Sequence, residues 1–184
     1  EKIFNITNES LKSKSGFKSI NELCGESVDR IEKLSESGSN ITGVATGFTK
    51  FDQQTTGLQK GDLIIIAGRP SMGKTSFAMN IAEYASLKND ATTAIFSMEM
   101  PGNQLSTRLL SSLGRIDQQH LRTGKLTDDD MPRLTNAVAL LSKANIFIDD
   151  SPALTPLDIR ARSRRLKREK GALDLIVIDY MRSE

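Results

Sequence analysis

One cysteine, one histidine and no uninterrupted apolar run beyond five residues are the scarcities of this 184-residue chain, and each closes a class of function. Cys24 alone permits no internal disulfide, and Cys24 with His120 cannot build a zinc site. Apolar runs such as Leu63 to Ala67 and Leu175 to Ile178 are four or five residues long, whereas a helix crossing a bilayer needs about 20. There is no starting Met and no apolar signal core; the chain opens Glu1, Lys2, Ile3, Phe4, Asn5 and reads as a piece of something longer. A reducing cytoplasm suits this cysteine usage. Net charge is also scarce, at +2, but unevenly spread. Thr155 to Lys170 carries seven basic residues (Arg160, Arg162, Arg164, Arg165, Lys167, Arg168, Lys170) against Asp158 and Glu169, so the rest of the chain is net acidic. Such a run reads first as the solvated face of one helix and only second as a nucleic-acid patch.

What is present is an alternation of short β-branched runs with helical patterns from residue 61 onward. This is the pattern of βα units around a mostly parallel sheet. Strands are predicted over Leu63 to Ala67, Thr93 to Ser97, Ile146 to Ile148 and Leu173 to Ile178. Helices are predicted over about Lys74 to Leu87, Gly102 to Leu113 and Asp128 to Lys143, the last with Thr127 as N-cap; another opens at Thr155 and Pro156. Ahead of this block the spacing predicts a different organisation. Residues 1–16 read as a mobile lead-in, residues 17–36 as an amphipathic helix with Ile20, Leu23, Val28, Ile31 and Leu34 on one stripe, and residues 37–46 as a Ser-rich linker. The stripe must be buried on the chain's own domain or on a neighbouring subunit, and the spacing does not choose between them.

The most specific motif is Gly68, Arg69, Pro70, Ser71, Met72, Gly73, Lys74, Thr75, which satisfies GxxxxGK[ST] between a predicted strand and a predicted helix; Ser76 follows it. Its glycines let the backbone curl so that N–H groups face inward, and the helix dipole adds to this phosphate cradle. Lys74 brings a point charge to the β and γ phosphates, and the Thr75 hydroxyl suits Mg²⁺. A P-loop also needs a carboxylate at a neighbouring strand end to orient the metal's shell. Two runs end that way: Leu175 to Ile178 before Asp179, and Ile146 to Ile148 before Asp149 and Asp150. The longer run favours Asp179. Glu99, just past the strand Thr93 to Ser97, is the candidate for orienting the attacking water; Met98 and Met100 beside it predict the apolar surround that tunes such a base. Met72, Met79, Met98, Met100 and Met131 read as packing rather than as a cofactor box, and His120 and Cys24 as structural.

These strings together carry a likeness. Thr46, Gly47, Phe48 before Thr56, Gly57, Leu58, the P-loop, and Phe96, Ser97, Met98, Glu99, Met100 resemble the RecA-like ATPase domain of the DnaB family of replicative DNA helicases. So do Leu121, Arg122, Thr123, Gly124, Lys125, Leu126 and Ile148, Asp149, Asp150, Ser151. The resemblance spans Gly47 to Tyr180 and implies an α/β fold, a RecA-like P-loop NTPase core over residues 47–184, incomplete at its end. It implies a hexameric ring that hydrolyses ATP between subunits and moves 5′ to 3′ on single-stranded DNA in the bacterial cytoplasm, with primase and a helicase loader as partners. Lys74 would then hold phosphate, Thr75 and Asp179 the Mg²⁺, and Glu99 would activate water. The helix of residues 17–36 would be the linker helix that packs on the adjacent protomer. The pattern departs at Met181, where the family continues Leu, Gln, Leu; its DNA-facing loops and arginine finger would lie past residue 184. A RecA-like recombinase, a regulatory ATPase, and a nucleotide-binding and docking module without turnover are the rival readings.

Overall fold

Strand β1, Thr93–Ser97, is buried at all five positions, and the chain's second unit is assembled around it. The computed structural model describes residues 19–37 and 41–179, so the lead-in of residues 1–16 and the departure at Met181 lie outside the described residues. Contacts divide the chain into two units, residues 1–40 and 41–184. In the first, helix α1 runs Ile20–Ser37 with Ile20, Val28 and Ile31 exposed.

The second unit opens with a bridge between Val44 and Leu58 that closes the loop carrying helix α2, Thr49–Thr55. Asp52 fixes this loop: its buried carboxylate accepts hydrogen bonds from the Thr46 N–H and hydroxyl and from the Gly47 N–H. Phe48 at the start of α2 stacks on Phe77 with ring centroids 4.8 Å apart. Phe77 lies on helix α3, Lys74–Lys88. After β1 come helix α4, Gly102–Gly114, helix α5, Gln118–Thr123, and helix α6, Asp130–Leu141. Strand β2, Ile146–Asp149, helix α7, Pro156–Lys170, and strand β3, Leu175–Asp179, complete the described chain.

The sheet is parallel in the order β2-β1-β3, with Phe96 opposite Asp149 and Ser97 opposite Asp179. All three strands therefore deliver their carboxyl ends to one edge, where ligands bind in open α/β sheets. Met79 and Ala82 of α3, Ile95 of β1, and Leu105 and Leu109 of α4 form the core, with Ile146, Ile148 and Val177 packed against it. Ala82 and Ala85 are fully buried, and two methyl-sized side chains let α3 pack closely.

Four expectations fail. The run Leu63 to Ala67 forms no ladder, and Leu63 and Ile65 are 86% and 78% exposed. Such an apolar run is stable as a strand when sheet neighbours and layers cover both faces, and among the described residues nothing covers it. Thr127 is not the N-cap of α6, which starts after Asp129; instead Asp130 reaches back, its carboxylate accepting from the Thr127 N–H at 2.9 Å and facing His120 Nδ1 at 2.8 Å. The Thr127 backbone and hydroxyl bonds, with His120 beside them, hold the Asp130 carboxyl below its ordinary range. Met72 and Met131 are exposed rather than packed, whereas Met79 is buried in the core. Helices α2 and α5 were not expected at all, being seven and six residues long, too short to show a 3.6-residue period.

The basic segment is the solvated helix face that its run of charge suggests. All seven of its Lys and Arg residues are exposed on α7, whose Thr155 and Asp158 form a reciprocal capping box.

Candidate functional site

The loop of residues 68–73 is exposed, and two of its residues are left-handed, Ser71 at φ 62° and Gly73 at φ 85°. Left-handed residues spaced this closely curl the backbone into an anion-binding concavity. Gly73 is also the N-cap of α3, where a side chain would be strained. The first turn of α3 holds no acidic residue, so its partial positive charge is not neutralised from within. Half-buried Lys74 folds back over the loop, its ammonium donating to the carbonyl of Gly68 at 2.9 Å and of Arg69 at 3.4 Å. Arg69, Pro70, Met72 and Ser76 are exposed around it.

Thr75 is the next residue along α3, and its hydroxyl donates to Asp179 Oδ2 at 2.8 Å across 104 residues of sequence. The contact joins the start of α3 to the carboxyl end of β3. Of the two strand ends that carry acidic residues, this is the one at the P-loop. Asp149 and Asp150 are engaged elsewhere. Arg162 of α7 donates to Asp149 Oδ2 at 2.5 Å and to the Ser151 hydroxyl at 2.8 Å. Burial pushes the Asp149 carboxyl upward, but the Arg162 guanidinium and the Ser151 hydrogen bonds outweigh it and hold the group below the usual carboxylate range. Asp150 Oδ2 accepts the Gly102 N–H at the start of α4, at 2.8 Å.

Glu99 lies past the end of β1 on the turn before α4. Its side chain is exposed between half-buried Met98 and Met100, so the apolar enclosure expected from its neighbours does not form within the described residues. The turn itself is firmly held. The Ser97 hydroxyl donates to the Met100 carbonyl at 2.8 Å and accepts its N–H at 3.2 Å, and the Met98 N–H donates to the Asp179 carbonyl at 2.9 Å. Asp179 thus meets the P-loop helix through its side chain and the Glu99 turn through its backbone. Sequence reasoning passed over Ser97 and the capping role of Asp150; a Ser at a strand end three residues before a backbone N–H is a local signal for the first, whereas the second spans 48 residues and has none.

The donor chemistry bears on what the site can hold. Among the described residues no group of three or more His, Cys, Asp or Glu is placed to hold a metal. A hydroxyl and a carboxylate oxygen fit a hard cation that takes its remaining ligands from phosphate and water. No helix among the described residues is long and apolar enough to cross a membrane.

Residues 43–183 match the model of the DnaB-like helicase C-terminal domain. The chain belongs to that family. It is 48% identical over 181 residues to the replicative DNA helicase DnaB of Buchnera aphidicola subsp. Schizaphis graminum, covering 97% of this chain and 39% of the relative. It is 49% identical over 170 residues to the DnaB of Geobacillus stearothermophilus, with 92% and 37% covered. The chain therefore spans about two fifths of the length of these relatives. A solved ATPase domain superposes with a TM-score of 0.81 at 32% identity, over 90% of this chain and 58% of that one. A solved DnaB-like replicative helicase, described with its interactions with primase, gives 0.77 at 33% identity over 83% and 38%. The fold is accordingly the α/β, RecA-like one of this DnaB-like helicase family, here with a three-stranded parallel sheet.

Proposed function

We propose that this chain supplies the nucleotide-binding half of an ATP-driven replicative DNA helicase. The observation that carries the reading is the 2.8 Å contact between Thr75 and Asp179 beside the P-loop, since it unites the two oxygen donors that phosphoryl transfer requires. The curled loop of residues 68–73 and the start of α3 receive the phosphates of ATP, and the Lys74 ammonium exchanges its carbonyl partners for phosphate oxygens. Mg²⁺, when bound, neutralises charge on the phosphates. Thr75 and Asp179 would hold it. Glu99 orients the attacking water from the firm turn beyond β1.

Membership of the family extends the reading to the whole protein. It works as a hexameric ring in a bacterial cytoplasm, translocating 5′ to 3′ on single-stranded DNA and meeting primase and a loader. In that ring α1, the helix expected over residues 17–36, docks on the neighbouring protomer; of the linker expected over residues 37–46, Val44 to Thr46 belong instead to the second unit, Val44 bridging Leu58 and Ala45 and Thr46 being buried. The exposed Ile20, Val28 and Ile31 of α1 supply an apolar stripe for that docking. The test is Lys74→Ala in the full-length protein, with ATP turnover measured with and without DNA. The expected result is a loss of at least about a hundredfold, the usual cost of removing one charge-stabilising donor from a reacting centre. DNA-stimulated turnover at the parent rate would sink the assignment.

A further inference from the structure

The turn that carries Glu99 is pinned at both ends, but by different parts of the chain. Ser97 and Asp179 secure its beginning through the bonds to Met100 and Met98. Its other end is secured by Asp150. Strand β2 lies beside β1 with Asp149 level with Phe96, so the next residue arrives alongside the start of α4. There its carboxylate accepts the Gly102 N–H at 2.8 Å. Helix α4 has no side-chain cap of its own, its N-cap being Pro101, and an anion at a helix N-terminus is favourably placed. Gly102 suits the approach: a Cβ there would already sit 3.3 Å from Asp150 Oδ2 and 3.5 Å from Ile148 Cγ2. Asp150 is itself held in place, because Arg162 and the Ser151 N–H fix Asp149 beside it.

We propose that Asp150 is a positioning residue for Glu99, capping α4 across the sheet edge so that the turn of residues 98–101 is held taut between two strand ends. The proposal rests on the reading of Glu99 as the group that orients the attacking water. Asp150 touches neither nucleotide nor water and acts through the turn alone. A displacement near 1 Å at a reacting group costs up to about a hundredfold in rate while leaving binding intact.

The experiment is ATP turnover and fluorescent-nucleotide binding in the full-length protein. Asp150→Ala should lower kcat roughly tenfold with KM and nucleotide affinity within about twofold of the parent. Asp150→Asn keeps an acceptor oxygen for the Gly102 N–H and should recover kcat to within about twofold. Gly102→Pro deletes the same donor at the first helical position, where proline is well tolerated, but its ring would meet the Asp150 carboxylate, so it is added to Asp150→Ala, where it should cost nothing more. If Asp150→Ala does not fold, Asp150→Ser, which shortens the side chain but keeps it polar, carries the same test. A kcat within about twofold of the parent in Asp150→Ala, while Glu99→Gln is inactive, overturns the role of Asp150 and leaves that of Glu99 standing. Full turnover by Glu99→Gln removes the reading of Glu99 and the proposal with it. Equal losses of kcat, nucleotide affinity and melting temperature, unrescued by Asp150→Asn, make Asp150 a fold contact only and also overturn the proposal.

Discussion

Two segments of this chain look alike in sequence and differ completely in the structure. Thr93 to Ser97 and Leu63 to Ala67 are both five-residue runs rich in strand-forming residues, each leading into a motif with acidic or phosphate-binding chemistry. The first is β1, buried throughout and paired on both sides. The second carries no ladder and is exposed at every position. Leu63 to Ala67, with three isoleucines, is the more strand-prone of the two, so propensity does not explain the difference, which lies in what a strand needs beyond it. β1 has a parallel neighbour on each edge and helical side chains packed against it, whereas the run ahead of the P-loop has neither among the described residues. Strand propensity measures fit to a half-built surface, and where no surface is provided it has little to act on.

The sharpest way to break this comparison is to truncate one buried and one exposed isoleucine and compare the losses, beginning with the larger. Ile95 is 1% exposed at the centre of the core cluster. Ile95→Ala should destabilise the chain by about 3 kcal/mol, combining lost transfer energy with the cavity left in a close-packed interior. Urea denaturation of the 184-residue chain reads this directly. A loss under about 1 kcal/mol would mean that the β1 core collapses freely, so that the contrast drawn above is not one of packing.

The two segments also mark where sequence reading works. The three paired strands were legible to within two residues because each is an apolar run closed by a polar strand end. The opening of a helix at Thr155 and Pro156 was equally plain, and the structure adds the Asp158 half of its capping box. Thr127 misled because Ser and Thr so often cap helices, whereas here the carboxylate three residues on, also facing His120, does the fixing. In the candidate site, the P-loop and the candidacy of Asp179 were readable as motifs. Run length favoured Asp179 over Asp149 and Asp150, but its contact with Thr75 depends on the order β2-β1-β3, a property of the sheet and not of any window along the chain. The exposure of Glu99 was hidden for the same reason: adjacent methionines in sequence need not enclose the residue between them.

A smaller effect separates answered from unanswered polar groups within the buried region. Ser97 and Asp52 have their hydrogen bonds met, but Glu83 on α3 keeps a buried Oε2 without a partner among the described residues. Burial raises the Glu83 carboxyl above its ordinary 4.5, with a hydrogen bond from Ser112 offsetting part of the rise. A carboxyl whose folded pKa is raised costs nothing while both folded and unfolded states are protonated. The penalty appears as pH climbs through the unfolded value and is complete above the folded one. Glu83→Gln should therefore raise the melting temperature slightly at pH 7 and leave it unchanged near pH 3.5. A variant less stable than the parent at pH 7 would show that Glu83 is paired after all, and that the buried region has no unanswered carboxylate.

The smallest expected effect is the most telling for the comparison. Ile65 is 78% exposed in a run without hydrogen-bonded strand neighbours among the described residues. Ile65→Ala should change the stability of the 184-residue chain by less than about 0.5 kcal/mol, the range of surface substitutions. That figure is close to the resolution of a denaturation curve, so it should be measured beside Ile95→Ala under the same conditions and read as a ratio. A ratio of six or more, following from about 3 and 0.5 kcal/mol, keeps the two isoleucines in different environments. A ratio near one would require Ile65 to be covered as Ile95 is. The run ahead of the P-loop would then be a sheet strand in solution, with its own layers, and the phosphate loop would be anchored from both sides instead of through α3 alone.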